Sequence, residues 1–247
     1  MDKSSKESYT LEHQVRAWNE WNETTRGDWM GDARNETSRR QAEIVESSIA
    51  ALGRHDLSII EVGCGSGWLC ERLQAYGQVT GTDLADEVLG RASKKWPKVR
   101  FISGDFMTLD LPMNTFDVVV TLEVLSHLPD QPAFVARLAD LLKPGGLLIV
   151  ATQNRPVLER WSAIGGPTPG QVRKWVNARE LRSLMIPHFS ELEIDSIVPV
   201  GDEGFLRVLN SAKLNRLLQL VIPERTIQRA KERAMLGHTL IAKGRKS

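Results

Sequence analysis

Cysteine is scarce. Only Cys64 and Cys70 occur in 247 residues, six positions apart, with no Cys-x-x-Cys pair or Cys/His ligand spacing. A disulfide framework and a zinc site are therefore not expected, and a reducing, cytoplasmic setting fits. No apolar run approaches the roughly 18 residues needed to span a bilayer, and MDKSSKESYTLEHQ lacks the apolar region of a secretory signal. Neither secretion nor stable membrane insertion is expected. An excess of one charge is also missing: 32 Lys and Arg face 31 Asp and Glu, so no global field recruits nucleic acid. No internal repeat and no low-complexity tract is visible.

What is present is 41% hydrophobic residues, enough for a substantial core, arranged in a recurring order. The β-rich runs LSIIEVG, QVTGTD, VRFISGD, FDVVVTL and LLIVAT alternate with helical patterns from residue 57 onward. That alternation predicts a parallel sheet covered by helices on both faces. Leu69, Leu73 and Tyr76 share one helical face with Gly77 placed to end it, and Val88, Leu89 and Ala92 form a second stripe stopped by Trp96-Pro97. Phe134, Val135, Leu138, Leu141 and Leu142 form a third, ended by Lys143-Pro144-Gly145-Gly146.

Two regions flank this core. In residues 1–56, Leu11, Val15 and Trp18 share a helical face, a second helix is expected near 38–52, and tryptophans stand at 18, 21 and 29. Trp18 suits core packing, while Trp21 and Trp29, off the main stripe, suit a lid that touches substrate. After Thr152 comes the loop IGGPTPG at 164–170, long and glycine-rich enough to move over a site, then a helix started by Asn177 with Glu180 three residues on. ELEIDSIVPV and HTLIAKG read as late strands. Between them FLRVLNSAKLNRLLQLVIPERTIQRAKERA reads as a long helical insertion with basic residues among leucines, suited to a substrate cap, a peripheral membrane contact through 205–222 or a dimer contact.

The loop Glu61-Val62-Gly63-Cys64-Gly65-Ser66-Gly67 poses the chemical question. A dinucleotide fingerprint requires G-x-G-x-x-G, its third glycine letting a helix approach the sheet beneath a pyrophosphate. Here that third position is Trp68, and the pattern is G-x-G-x-G. Bare backbone at Gly63, Gly65 and Gly67 suits a nucleoside with an amino-acid tail better than a dinucleotide. Asp83 and Asp105 end the next two strands, where ligands of open parallel sheets bind. A carboxylate at 83 can accept from two ribose hydroxyls, one at 105 from an exocyclic adenine amine, and Phe106 can stack on the base. With Glu61 these make three acids, which favour a cationic ligand and repel a pyrophosphate.

In order, EVGCGSG, TGTD, SGDF, FDVVVTLEVLSHLPD and LKPGGLLIVAT resemble the motifs of the class I S-adenosylmethionine-dependent methyltransferases over roughly residues 40–155. That resemblance implies a seven-stranded Rossmann-like sheet with helices on both faces, 194–200 and 238–244 as its last strands, and the final strand antiparallel. It implies S-adenosyl-L-methionine as cofactor and S-adenosyl-L-homocysteine as product. Glu61, Gly63, Gly65 and Gly67 are then expected at the methionine end, Asp83 with Leu84 at the ribose, and Asp105 with Phe106 at the adenine. Leu122 and Glu123 are expected on the floor under the sulfonium. EVLSHLPD, ATQNR and KWVNARELRSL further resemble the ubiquinone-type O-methyltransferases and their small-molecule relatives.

The whole chain is accordingly expected to be one methyltransferase domain, with a lid at 1–56, a cofactor-binding core at 57–155 and a substrate-side cap at 156–247. Transfer to oxygen or nitrogen of a small, partly apolar acceptor is the expected reaction, with His127 as candidate base and no metal. Methylation of protein or RNA is a second reading, against which stand the near-neutral charge and the lack of a basic tail or an Asn-Pro-Pro-Tyr motif. An NAD-linked oxidoreductase or a non-catalytic nucleotide-binding protein is the third.

Overall fold

The computed structural model describes residues 15–20, 36–162 and 172–247. Leu11, Trp21, Trp29 and the IGGPTPG loop lie outside them. Seven strands form one sheet: β1 (Leu57–Val62), β2 (Gly77–Asp83), β3 (Arg100–Ser103), β4 (Phe116–Leu122), β5 (Leu142–Gln153), β6 (Phe189–Pro199) and β7 (Gly237–Lys246). Their spatial order is β3-β2-β1-β4-β5-β7-β6. The first five pair in parallel, and β7 runs antiparallel to both β5 and β6. Chain order reverses between β1 and β4, and such a switch point opens a crevice at the carboxyl ends of the strands.

Both faces of the central strands are buried, which explains why they read as continuous apolar runs rather than as alternation. Ile59, Val118 and Val120 face one core with Val45 and Ile49 of α1 (Glu36–Ala50), Leu69 and Leu73 of α2 (Trp68–Leu73), and Leu89 of α3 (Asp86–Lys95). Ile60, Val62 and Val119 face the other, with Phe134, Val135 and Leu138 of α4 (Gln131–Leu141) and Leu181 and Met185 of α6 (Ala178–Met185). A short helix, α5 (Arg155–Leu158), follows β5.

Local side-chain caps set the starts of two helices. The Asp130 carboxylate caps α4 by accepting from the Ala133 amide at 3.0 Å. Asn177 and Glu180 form the expected reciprocal cap on α6. Three details differ from the sequence reading. The first stripe ends at Leu73 and tightens into a 3-10 turn, Gln74–Tyr76, and Gly77 opens β2 instead of merely stopping a helix. The Lys143–Gly146 stretch falls within β5. The insertion is broken into α7 (Gly204–Leu209), α8 (Ala212–Gln219) and α9 (Glu224–Arg233), with Pro223 at the last break.

Candidate functional site

The chain leaves β1 through three glycines, all in the left-handed region: Gly63 at φ 76°, Gly65 at 52° and Gly67 at 71°. At Gly63 a side chain is excluded twice over, because a Cβ would also fall 2.1 Å from Val124 Cγ2. The loop is stitched to β2. The Gly63 and Cys64 amides donate to the Thr82 carbonyl at 2.8 and 3.0 Å, and the Gly65 amide donates to Asp83 Oδ2 at 2.7 Å. Asp83 Oδ1 accepts from the Ala85 amide at 2.9 Å. Asp105 likewise accepts from the Met107 amide at 2.9 Å. Both acids line the cavity and also organise the turns they end, so the two roles that Asp favours coincide here.

Glu61 is buried under this loop and accepts from the Cys70 thiol at 3.0 Å. Removal from water, with the Asp83 charge adding to it, pushes its carboxyl up to about 8, although the Cys70 hydrogen bond pulls the other way. At neutral pH it therefore carries a proton. The expected trio of charged acids is instead two solvent-facing carboxylates above a neutral acid that a cationic ligand would ionise. Phe106 is buried at the cavity wall, its ring edge-on to Phe134 at 5.4 Å and its carbonyl accepting from Arg137 Nε at 2.6 Å.

The floor is built after β4. Leu122 and Glu123 line the cavity, and Glu123 holds φ 61°, an uncommon state for a non-glycine residue. Its Oε1 accepts from Gln41 Nε2 at 2.6 Å and from Thr239 Oγ1 at 3.1 Å, which joins α1 and β7 to the floor. His127 closes a 3-10 turn, Leu125–His127. Its Nδ1 lies 3.1 Å from the Val172 carbonyl, and its ring meets the edge of Trp18 at 4.7 Å. A carbonyl only accepts, so Nδ1 carries the proton and the lone pair of the neutral ring sits on Nε2. Burial, reinforced by the Arg173 charge, holds His127 below the ordinary imidazole range.

The opposite wall was not legible beforehand. Trp161, Arg173, Trp175 and His238 line the same cavity, whose volume is about 860 Å³, and Trp18, read as a packing residue, joins them. Trp161 and His238 approach at 5.7 Å, and the Arg173 guanidinium lies 5.1 Å from the Trp175 ring centre. His238 Nε2 is 2.9 Å from Thr37 Oγ1, and burial pushes its pKa down to about 4. Apolar periodicity cannot find such residues, since they come from separate loops and strand ends, with only Arg173 and Trp175 sharing one. Among the described residues no group of three His, Cys, Asp or Glu could hold a metal ion.

Residues 60–150 match the family model described as a methyltransferase domain. The chain is 38% identical over 104 residues to a ubiquinone biosynthesis O-methyltransferase of Rhodopseudomonas palustris, covering 40% of this chain and 41% of that one. Against the enzyme of the same name from Colwellia psychrerythraea it is 36% identical over 120 residues, covering 46% and 48%. The chain thus spans under half the length of the curated relatives it matches. Among solved structures, an N-methyltransferase from Bradyrhizobium japonicum WM9 in complex with S-adenosyl-L-homocysteine superposes with a TM-score of 0.62 at 18% identity, covering 96% of this chain and 98% of that one. A Burkholderia thailandensis 1,6-didemethyltoxoflavin-N1-methyltransferase gives 0.62 at 18% identity, covering 100% and 92%. These two share the fold. The sheet that reverses beside β1, the glycine cradle tied to the acid ending β2 and the sequence match fall on the same strands, so residues 60–150 are similar to a methyltransferase domain and the chain has the fold of the methyltransferases it superposes on.

Proposed function

We propose that this protein transfers a methyl group from S-adenosyl-L-methionine to a hydroxyl oxygen of a small, planar, partly apolar acceptor. The observation that carries this reading is one cavity lined both by the glycine cradle, Asp83 and Asp105 and by Trp18, Trp161, Trp175, His127 and Arg173.

The cofactor side fits the group. Gly63 and Gly67 expose backbone where a Cβ would collide with Val124 and Phe101, and Thr82 Oγ1 is buried in the cavity wall without a hydrogen-bond partner. Asp83 would hold the ribose hydroxyls, with Leu84 beside it, Asp105 and Phe106 the adenine, and Gly63, Gly65 and Glu61 the amino-acid end. When bound, S-adenosyl-L-methionine supplies a methyl group on a positively charged sulfur, activated for in-line attack.

The chain's own work is then alignment, dehydration and removal of one proton. Trp18, Trp161 and Trp175, which all line the cavity, supply aromatic surface for a flat acceptor and help exclude water. His127 Nε2 takes the hydroxyl proton while Val172 holds the ring through Nδ1, and burial favours the neutral ring. Oxygen is favoured over nitrogen because Arg173 places a positive charge on the acceptor side, which opposes an ammonium and favours a developing alkoxide or phenolate. The names of the curated relatives, O-methyltransferases, agree.

Calorimetric titration tests the reading. S-adenosyl-L-homocysteine should bind and NAD should not, and Asp83→Ala should weaken binding by about tenfold or more, the usual loss for hydrogen bonds to a charged group. Heat from NAD alone would refute it.

A further inference from the structure

The insertion between β6 and β7 presents a surface that the cavity does not use. Several of its apolar residues are exposed, although Leu206 is buried: Leu217 is 63% exposed, Leu220 78% and Val221 86%, with Phe205 and Val208 of α7 also exposed. Scattered exposed leucines need no explanation, but consecutive ones at the tip of a connection between helices do. Charge is concentrated in the same segment. Residues 204–234 hold seven Lys and Arg against two Glu, in a chain whose net charge is +1. One of those glutamates, Glu232, is buried and bonded to Arg40 of α1 at 2.9 Å. Lys213, Arg216, Arg225, Arg229 and Arg233 make no ion pair among the described residues.

The spacing places cations and apolar groups together. Lys213, Arg216, Leu217 and Leu220 recur at helical intervals on one face of α8 and its continuation, and Arg225, Arg229 and Arg233 form an i, i+4, i+8 row on α9. We propose that the exposed face of α7–α9, with the Leu220-Val221-Ile222 tip, docks on an anionic lipid surface. The tip enters the headgroup region while the flanking cations meet lipid phosphates and keep their heads in water. No helix among the described residues is long and apolar enough to cross a membrane, so the contact is peripheral. A second copy of this chain is a poorer occupant, because a symmetric contact would set one cationic patch against its equal. The face adjoins the cavity: the Arg160 carbonyl accepts from the Asp202 and Glu203 amides at 3.1 and 3.2 Å, and Trp161 beside it lines the acceptor wall.

The test is co-sedimentation of the full chain with phosphatidylcholine vesicles and with vesicles that also contain phosphatidylglycerol. Sedimentation is expected only with the second, and weaker at high salt. Leu220→Ser/Val221→Ser and Arg225→Ser/Arg229→Ser/Arg233→Ser should each reduce partitioning by on the order of tenfold or more, with unchanged circular dichroism and unchanged S-adenosyl-L-homocysteine affinity. Three results would overturn the proposal: no sedimentation with anionic vesicles, equal sedimentation with both kinds, or a wild-type dimer that the Leu220→Ser/Val221→Ser change dissociates. None of these bears on methyl transfer, so either idea can fail without the other.

Discussion

Replacing His238 by Gln should change the acid stability of the protein by a calculable amount. In the folded chain His238 is packed against Trp161 and bonded to Thr37 and Thr239, and burial holds its pKa at about 4, against 6.5 for an exposed imidazole. Between those values the unfolded chain binds the proton and the folded chain does not. Folding stability is therefore complete above pH 6.5 and declines as pH falls toward 4. At about 1.4 kcal/mol per pKa unit, the loss is about 2 kcal/mol by pH 5 and about 3 kcal/mol by pH 4. Glu61 runs the other way: its folded carboxyl titrates near 8 and its unfolded one near 4.5, so its neutral burial costs stability increasingly as pH rises between them. It is present in both proteins and cancels in the difference. Urea unfolding of wild type and His238→Gln, followed by tryptophan fluorescence near pH 7.5 and near pH 5, measures that difference. The variant should be favoured by about 2 kcal/mol at the lower pH relative to the upper. Parallel loss of stability in the two proteins would refute a buried neutral histidine at this position.

His127→Ala should lower kcat by about a hundredfold or more while leaving cofactor affinity within twofold, the range expected for a lost general base. The acid limb of the wild-type profile should fall below pH 6.5, because the depressed pKa keeps the base unprotonated down to lower pH; a limb above that value counts against the assignment. Gly63→Ala should abolish cofactor binding and cost at least about 1–2 kcal/mol for the left-handed backbone alone. Adding Val124→Ala should recover the part due to collision and not the part due to φ, and full recovery would show that the conformation imposes no cost.

What was legible in the sequence followed from short-range chemistry. The runs LSIIEV and FDVVVTL announced doubly buried strands because neither face of a central parallel strand meets water. Asn177 with Glu180 announced a helix start because the cap closes within four residues. Gly63, Gly65 and Gly67 announced bare backbone suited to a ligand, and all three hold positive φ, where glycine carries no side-chain penalty. Asp83 was recognisable by position as the last residue of β2, whereas Asp105 falls two residues beyond the end of β3 at Ser103. The 205–235 insertion was legible as helical and not as three pieces, because leucine periodicity continues across Ser211 and fails only at Pro223.

Local pattern determined the strands, the glycine cradle and the two acids, since each depends on dihedral preference or on burial repeated at fixed spacing. Tertiary structure alone decided that Trp18, Trp161, Arg173, Trp175 and His238 share one wall, that Glu61 is neutral at rest, and that Glu123 is bonded to α1 and β7. Those outcomes depend on how loops from distant parts of the chain meet over the sheet. Neighbours brought together by chain reversal leave no periodic trace in the residues between them.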